Sequence, residues 1–270
     1  MTTLTGSADT DLLLLVLGCG FLGLFVGSFL NVVIHRVPAG ESVVKPRSRC
    51  PGCGHEIAWY DNIPVVSWLV LRAKCRSCGE PISVRYPLVE LGTGVLFALT
   101  AWWTGVSWVL PAFLYLAAIA VALSAIDLDT KRLPDAIVLP SYGVALVLLA
   151  GAAWADGTWD LLLRSVLAAA AMFAFYFVLI FIYPAGMGFG DVKLSGVLGL
   201  YLGWVGWAAV VVGAFAAFVI GAVVGIGAML VSEAGRKTKV PFGPFMFLGA
   251  AIGLVVGPAI ADWYLGAAGL

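Results

Sequence analysis

Four carboxylates, Glu90, Asp127, Asp135 and Asp191, stand inside or at the edges of long apolar runs, where an ionisable side chain is costly to keep. Each is therefore a candidate for chemistry. Two aspartates beside one hydrated cleft can share a proton, because adjacent like charges resist joint ionisation. One then takes a proton from water while the other, protonated, donates to a carbonyl oxygen. That is aspartyl-type peptide hydrolysis, which needs neither a metal nor a covalent intermediate. Asp127 ends the apolar stretch 121–126, and Asp191 follows Gly188-Phe189-Gly190. They are the candidate catalytic pair. The two histidines, His35 and His55, fall in the polar segment, so no Ser–His dyad can form within an apolar run. His55-Glu56 lacks a second histidine at the fourth position, which removes the zinc-protease pattern.

The other carboxylates have blander readings. Asp129 lies ~200° around a helix from Asp127 and is expected in solvent near Lys131. Asp135 follows Pro134 and suits the positive first turn of a helix. Asp191 has a second reading as a helix cap, and spacing alone leaves capping and catalysis both open. Pro184, Gly186, Gly188 and Gly190 argue for irregular backbone before it, which survives at membrane depth only beside protein or a water-filled cavity. No role is assigned to Glu90. Lys193 is open to substrate contact or electrostatic tuning, but marking the inner membrane boundary is the preferred reading.

A second constellation is Cys50-Pro51-Gly52-Cys53 with Cys75-Arg76-Ser77-Cys78, two Cys-x-x-Cys knuckles at a spacing that suits a structural zinc site. Gly52, Gly54 and Gly79 favour tight turns around the metal. Two disulfides are the alternative, disfavoured if the segment faces a reducing compartment. Cys19, within the first apolar run, reads as a small buried apolar residue.

The elements that must position these groups are membrane helices. The 270 residues are 62% hydrophobic and 11% charged, with mean hydropathy +1.04, outside the range of a soluble domain. Apolar runs cover residues 12–34, 87–103, 106–126, 136–153, 161–183, 192–202, 207–231 and 245–265. The sixth is too short to cross unless it is tilted, extended through 203–206 or buried among neighbours. The predicted fold is an all-α polytopic membrane protein of about eight transmembrane helices. A small cytoplasmic zinc-binding module joins helices 1 and 2. The domains are residues 1–34, the first helix; 35–86, the module; and 87–270, a membrane-embedded peptidase domain.

Asp9 and Asp11, rather than basic residues, precede the first run, which argues for a permanent anchor over a cleaved signal. Basic residues cluster in 36–85, at Lys131 and Arg132, at Lys193, and at Arg236, Lys237 and Lys239. Placing these inside leaves only Arg164 of the fifteen on the outer side and puts both termini outside. The zero net charge reflects this sorting, and nothing points to nucleic acid.

In this order the motifs resemble those of bacterial type IV prepilin peptidases, the leader peptidase and N-methyltransferase of aspartyl peptidase family A24. They begin with Gly27-Ser28-Phe29-Leu30-Asn31, the paired knuckles, Asp61-Asn62-Ile63-Pro64 and Arg85-Tyr86-Pro87-Leu88-Val89-Glu90. Ile126-Asp127-Leu128, Leu133-Pro134-Asp135, Gly188-Phe189-Gly190-Asp191-Val192-Lys193 and Pro241-Phe242-Gly243-Pro244-Phe245 follow. The resemblance implies that Asp127 and Asp191 are catalytic. It also implies that the substrates are prepilins of type IV pili and pseudopilins of type II secretion, whose short basic leader is removed at the inner face of the bacterial inner membrane. Methylation of the new N-terminus from S-adenosylmethionine is implied as well, with residues 35–86 associated with it. The segment 36–86 has no Gly-rich nucleotide loop, and no residue is assigned to the methyl donor. Ala73 stands where glycine is usual in the family, and Phe189 separates two glycines. A presenilin-type protease would carry a Pro-Ala-Leu motif, which is missing. An ion-coupled transporter using the two aspartates, or a scaffold docking partners through the module, are the readings from other classes.

Overall fold

The computed structural model describes residues 5–183, 187–231 and 241–268. Pro184 and Gly186 of the glycine-rich stretch, and the basic cluster Arg236, Lys237 and Lys239, lie outside these described residues. The helices are α1 (Thr5–Arg36), α2 (Val66–Val70), α3 (Arg85–Thr104), α4 (Leu110–Thr130), α5 (Asp135–Asp156), α6 (Trp159–Ile182), α7 (Phe189–Val205), α8 (Trp207–Val231) and α9 (Gly243–Ala268). A 3₁₀ turn, Trp59–Asn62, precedes α2. The fold is all-α and multi-spanning.

The expected count of eight spanning helices needs correction. Among the described residues, six helices are long and apolar enough to cross a bilayer by themselves: those at Thr10–Arg36, Leu110–Thr130, Asp135–Asp156, Trp159–Ile182, Trp207–Gly227 and Gly243–Ala267. The two that fall short are α3 and α7. Helix α3 carries Glu90 and several polar residues, and α7 is a 17-residue helix rising ~26 Å. Helix α7 buries most of its surface against protein, so its composition is set by packing rather than by lipid, whereas α3 buries one face, with Glu90 and Thr93, and leaves an apolar face exposed.

The chain divides into two compact units, Met1–Ala122 and Leu123–Leu270, with the boundary inside α4. In the first unit α1 and α3 pack antiparallel through small residues: a Cβ at Gly27 would stand 2.7 Å from Glu90 Cα, and one at Gly23 would stand 2.8 Å from Gly94 Cα. Asn31 Nδ2 donates to the Tyr86 carbonyl at 3.1 Å at the end of this seam. Cys19, Phe97, Ala101, Leu110 and Ala117 form a buried cluster beside it, as Cys19's apolar reading expects.

The second unit is organised around α7, which packs against α5, α6, α8 and α9. Every residue from Leu194 to Trp204 is buried. Glycine makes this approach possible, since a Cβ at Gly199 would lie 2.6 Å from Ala169 Cα. At the far end of α7 the Arg164 guanidinium donates to the carbonyls of Gly203 (2.7 Å), Trp204 (2.7 Å) and Val205 (3.3 Å). These are the last carbonyls of α7, which lack partners within the helix and carry its negative dipole end. Arg164, the exception to the basic-residue pattern, is thus a helix cap.

Candidate active site

Helix α4 keeps its turn through Thr130 and is closed by Lys131, whose φ of 54° brings its amide onto the Asp127 carbonyl at 2.8 Å. Because Asp127 and Asp129 are two residues apart on this last turn, they face different ways. Asp127 is 4% exposed, while Asp129 is exposed. The Asp127 carboxylate is held by a residue far along the chain: Oδ2 accepts the N–H of Gly243, the first residue of α9, at 2.9 Å. An amide at a helix start is a natural donor to a carboxylate.

Helix α7 starts at Phe189, so the irregular backbone expected up to Asp191 ends sooner and Asp191 is the third residue of the helix. Its Oδ2 accepts the N–H of Gly188 at 2.8 Å, and its own amide donates to the Gly188 carbonyl at 3.1 Å. The capping geometry is therefore present, and it uses one oxygen of a carboxylate that is 8% exposed. Leu133 links the two sites. A Cβ at Gly243 would lie 3.3 Å from Leu133 Cδ2, and one at Gly190 would lie 3.0 Å from Leu133 Cβ. The two carboxylates are close enough for the charge of Asp127 to act on Asp191.

Lys193 does more than mark a boundary. Its Nζ lies 2.7 and 2.8 Å from the two oxygens of Asp135 and 5.1 Å from the centre of the Phe189 ring. Its carbonyl accepts the Tyr142 hydroxyl at 2.6 Å. These bonds tie the first turn of α7 to α5. Asp135 occupies the first turn of α5, as expected, and gains Lys193 as a partner. An aromatic row, Tyr176, Phe218 and Phe242, runs up to Gly243 with ring centres 5.4 and 5.3 Å apart. Sequence reasoning missed the Gly243 amide, the Lys193 pair and the Tyr142 bond. Only the motif at 241–245 hinted at any of them, since each joins residues more than fifty positions apart.

In the first unit the two knuckles fold alike. The Cys50 amide donates to the His55 carbonyl (3.0 Å) and the Cys75 amide to the Glu80 carbonyl (2.8 Å). Gly54 (φ 70°) and Gly79 (φ 75°) take the left-handed conformation that closes each loop. The sulfurs of Cys50, Cys53, Cys75 and Cys78 lie within 4.8 Å of one another, with Cys50 and Cys78 at 3.7 Å. Four thiolates ~2.3 Å from a tetrahedral ion are ~3.8 Å apart, so the cluster fits a metal ion of that geometry. Amides of Cys78 and Ser77 pull the Cys75 thiol down to about 7, while at Cys78 desolvation and the neighbouring sulfurs outweigh the Glu80 amide and push the thiol up to about 12.

Glu90 is buried at 8% exposure. Its Oε2 accepts the Val65 amide at 2.7 Å, and it is also bonded by the Ser28 side chain. Val65 has φ 61°, a strained conformation for a β-branched residue. Glu90 therefore joins α3, α1 and the turn before α2.

A multi-spanning helical protein that buries two neighbouring aspartates on separate helices is of the membrane aspartyl peptidase class. Comparison with known proteins agrees. The family described as "Bacterial Peptidase A24 N-terminal domain" matches residues 21–104, and the "Type IV leader peptidase family" matches residues 114–226. A "Prepilin leader peptidase/N-methyltransferase" of Stutzerimonas stutzeri is 37% identical over 90% of this chain and 91% of its own. The protein of that description from Myxococcus xanthus is 44% identical over 81% of this chain and 64% of its own, and that from Neisseria gonorrhoeae 37% over 90% and 92%. No solved structure matches. The chain belongs to the peptidase A24 family of type IV leader peptidases.

Proposed function

We propose that Asp127 and Asp191 are the catalytic pair of a leader peptidase acting on prepilins and pseudopilins at the inner face of the bacterial inner membrane. The observation that carries this reading is geometric. Two buried carboxylates from different helices each commit an oxygen to a main-chain amide, and Leu133 touches the glycine beside each. The amides fix the carboxylates while the second oxygens serve the reaction. One aspartate takes a proton from water as it attacks the scissile carbonyl, and the other donates its proton to the carbonyl oxygen. The tetrahedral intermediate then collapses and the amine leaves protonated. Lys193, tied to Asp135, holds the first turn of α7 in place for this exchange.

The same chain N-methylates the residue exposed by cleavage. S-adenosylmethionine supplies an electrophilic methyl group for this step. The four-cysteine cluster is assigned a structural zinc ion, held by Cys50, Cys53, Cys75 and Cys78, in a cytoplasmic module at 35–86 associated with methylation. Residues 87–270 form the membrane-embedded peptidase domain. Both termini are external. The distribution of Lys and Arg supports that orientation.

The test is co-expression with a prepilin followed by the intact mass of the pilin, which reports leader loss and methyl gain together. Leader retained with wild-type enzyme present would overturn the peptidase assignment. Leader lost without the mass of one methyl group would overturn the methylation step alone.

A further inference from the structure

Helix α2 is five residues long, yet it turns three aliphatic side chains outward together. Val66, Leu69 and Val70 fall at i, i+3 and i+4, one face of the helix, and are 53, 61 and 70% exposed. The opposite face is fastened to protein. The Ser67 hydroxyl donates to the Tyr60 carbonyl at 2.9 Å and accepts the Ile63 amide at 3.0 Å, and the Trp68 indole donates to the Ile82 carbonyl at 3.1 Å. We propose that the face formed by Val66, Leu69 and Val70 lies in the lipid bilayer, which makes α2 a membrane anchor in the middle of the segment 35–86. The inference concerns the first unit alone and holds whatever the catalytic residues are.

The depth of α2 is set by α1. The span Thr10–Arg36 rises ~39 Å against ~30 Å of hydrocarbon, so even with all of the excess at its C-terminal end the boundary falls near residues 29–30. Gly27 is therefore inside the hydrocarbon. A Cβ there would stand 2.7 Å from Glu90 Cα, which puts Glu90 at the same depth. Because α1 and α3 are antiparallel, the Glu90 side chain leans back along α3 toward that boundary, where its Oε2 accepts the Val65 amide at 2.7 Å. Val65 immediately precedes α2. At the other side of the short helix, Trp68 is tied to Ile82, three residues before α3 begins. Both attachments hold α2 at the membrane boundary rather than above it.

What covers the face follows from this level and from its chemistry. Phe25 and Phe29 on α1, and Leu88 and Leu91 on α3, bracket Gly27 and Glu90 and are exposed, so the neighbouring surface at this depth is already apolar. Acyl chains remove the three aliphatic side chains of α2 from water, as in other helices that lie in the interface. Arg72 and Lys74, both exposed, follow directly and bring positive charge to where lipid phosphates lie. The one acid in residues 59–74, Asp61, is taken up by Arg76 at 2.6 to 3.1 Å. Arg72 (φ 51°) and Ala73 (φ 58°) then turn the chain back, and the Ala73 carbonyl accepts the Ile82 amide at 2.7 Å. Cys75 comes five residues after Val70, so the anchor also holds the cysteine cluster close to the membrane surface.

Photo-crosslinking of the full-length protein in nanodiscs of phosphatidylethanolamine and phosphatidylglycerol tests the anchor. The photoreactive residue p-benzoylphenylalanine replaces Leu69 or Val70, both outward-facing, and Ser77, exposed in the second knuckle, as the control. After irradiation the intact mass should rise by one phospholipid at positions 69 and 70, several-fold more often than at 77. Melting curves matching wild type show that each protein is folded, and two positions guard against one that is not. Absence of lipid adducts at 69 and 70 in folded protein would overturn the inference. Equal lipid labelling at 69 and 77 would mean that lipid contact is no property of α2, and would overturn it too. Adducts to a second copy of the chain would make the face a dimer contact, and adducts to added prepilin in place of lipid would make it a substrate surface. Either result overturns the anchor.

Discussion

Replacing either aspartate by asparagine separates its catalytic part from its structural part. In Asp127→Asn the amide oxygen still accepts the Gly243 N–H, now 2.9 Å from Oδ2, so the fold loses only the charged component of one hydrogen bond, ~1 kcal/mol. Asn is as good an N-terminal acceptor as Asp, so Asp191→Asn keeps the bond to Gly188. Asp191→Ala removes that bond and costs a further ~1 kcal/mol. Neither amide can exchange the proton, and loss of positioned acid–base catalysis costs ~10²–10⁴-fold in rate. Asn and Ala at 191 should therefore differ in melting temperature yet be alike in activity. The double variant Asp127→Asn/Asp191→Asn should be little worse than either single, because the two act as one unit. Initial rates on a prepilin substrate, read by mass spectrometry beside melting curves, measure both quantities. Asp129→Asn, at an exposed position, should cleave as wild type. Asp135→Asn gives up an ion pair whose carboxylate side chain is 55% exposed, worth about 1 kcal/mol or less, and should keep substantial activity. Normal cleavage by Asp191→Asn, or an inactive Asp129→Asn beside an active Asp127→Asn, would refute the assignment of the pair.

Purified protein should carry about one zinc per chain, measured by elemental analysis, and Cys75→Ser with Cys78→Ser should lose it and destabilise the module. Ala73→Gly should raise the stability of the first unit by ~0.5–1 kcal/mol, seen as a shift in its melting transition, because Ala73 has φ 58°, where a Cβ is strained. Cysteines placed at Ser48 and Thr130 should react with an impermeant thiol reagent only after cell lysis; strong labelling of intact cells would reverse the orientation.

The sequence was most legible where a property belongs to one segment. The opposed exposure of Asp127 and Asp129 follows from 3.6 residues per turn, and the proximity of the four thiols follows from knuckle spacing. The helix at 161–183 was placed within two residues of α6 at its start and one at its end. It was least legible where a property belongs to a contact. Nothing local to Arg164 says that it caps α7, and nothing near Lys193 says that Asp135, 58 residues away, receives it. The start of α7 was placed late because Gly188-Phe189-Gly190 discourages helix in isolation. In the fold Gly190 is needed for approach to Leu133, and Asp191 holds the Gly188 amide. Hydropathy likewise reads lipid-facing composition, so it overstated the resemblance of α3 and α7 to self-sufficient membrane spans. Ala73 is the converse case: an unusual residue noticed in the sequence whose left-handed backbone only the fold reveals.

The complete enclosure of α7 bears on how the protein is made. A helix whose residues from Leu194 to Trp204 all face other helices has no side to offer the bilayer while it is alone. Its entry into the membrane is therefore coupled to partners. Helices α5 and α6 leave the ribosome before it, and α8 and α9 after it. The Arg164 guanidinium must remain hydrated until the end of α7 arrives to receive it. Biogenesis thus delivers Asp191 to Asp127 late, after the surrounding helices are in place, and a truncated or stalled chain lacks an assembled protease.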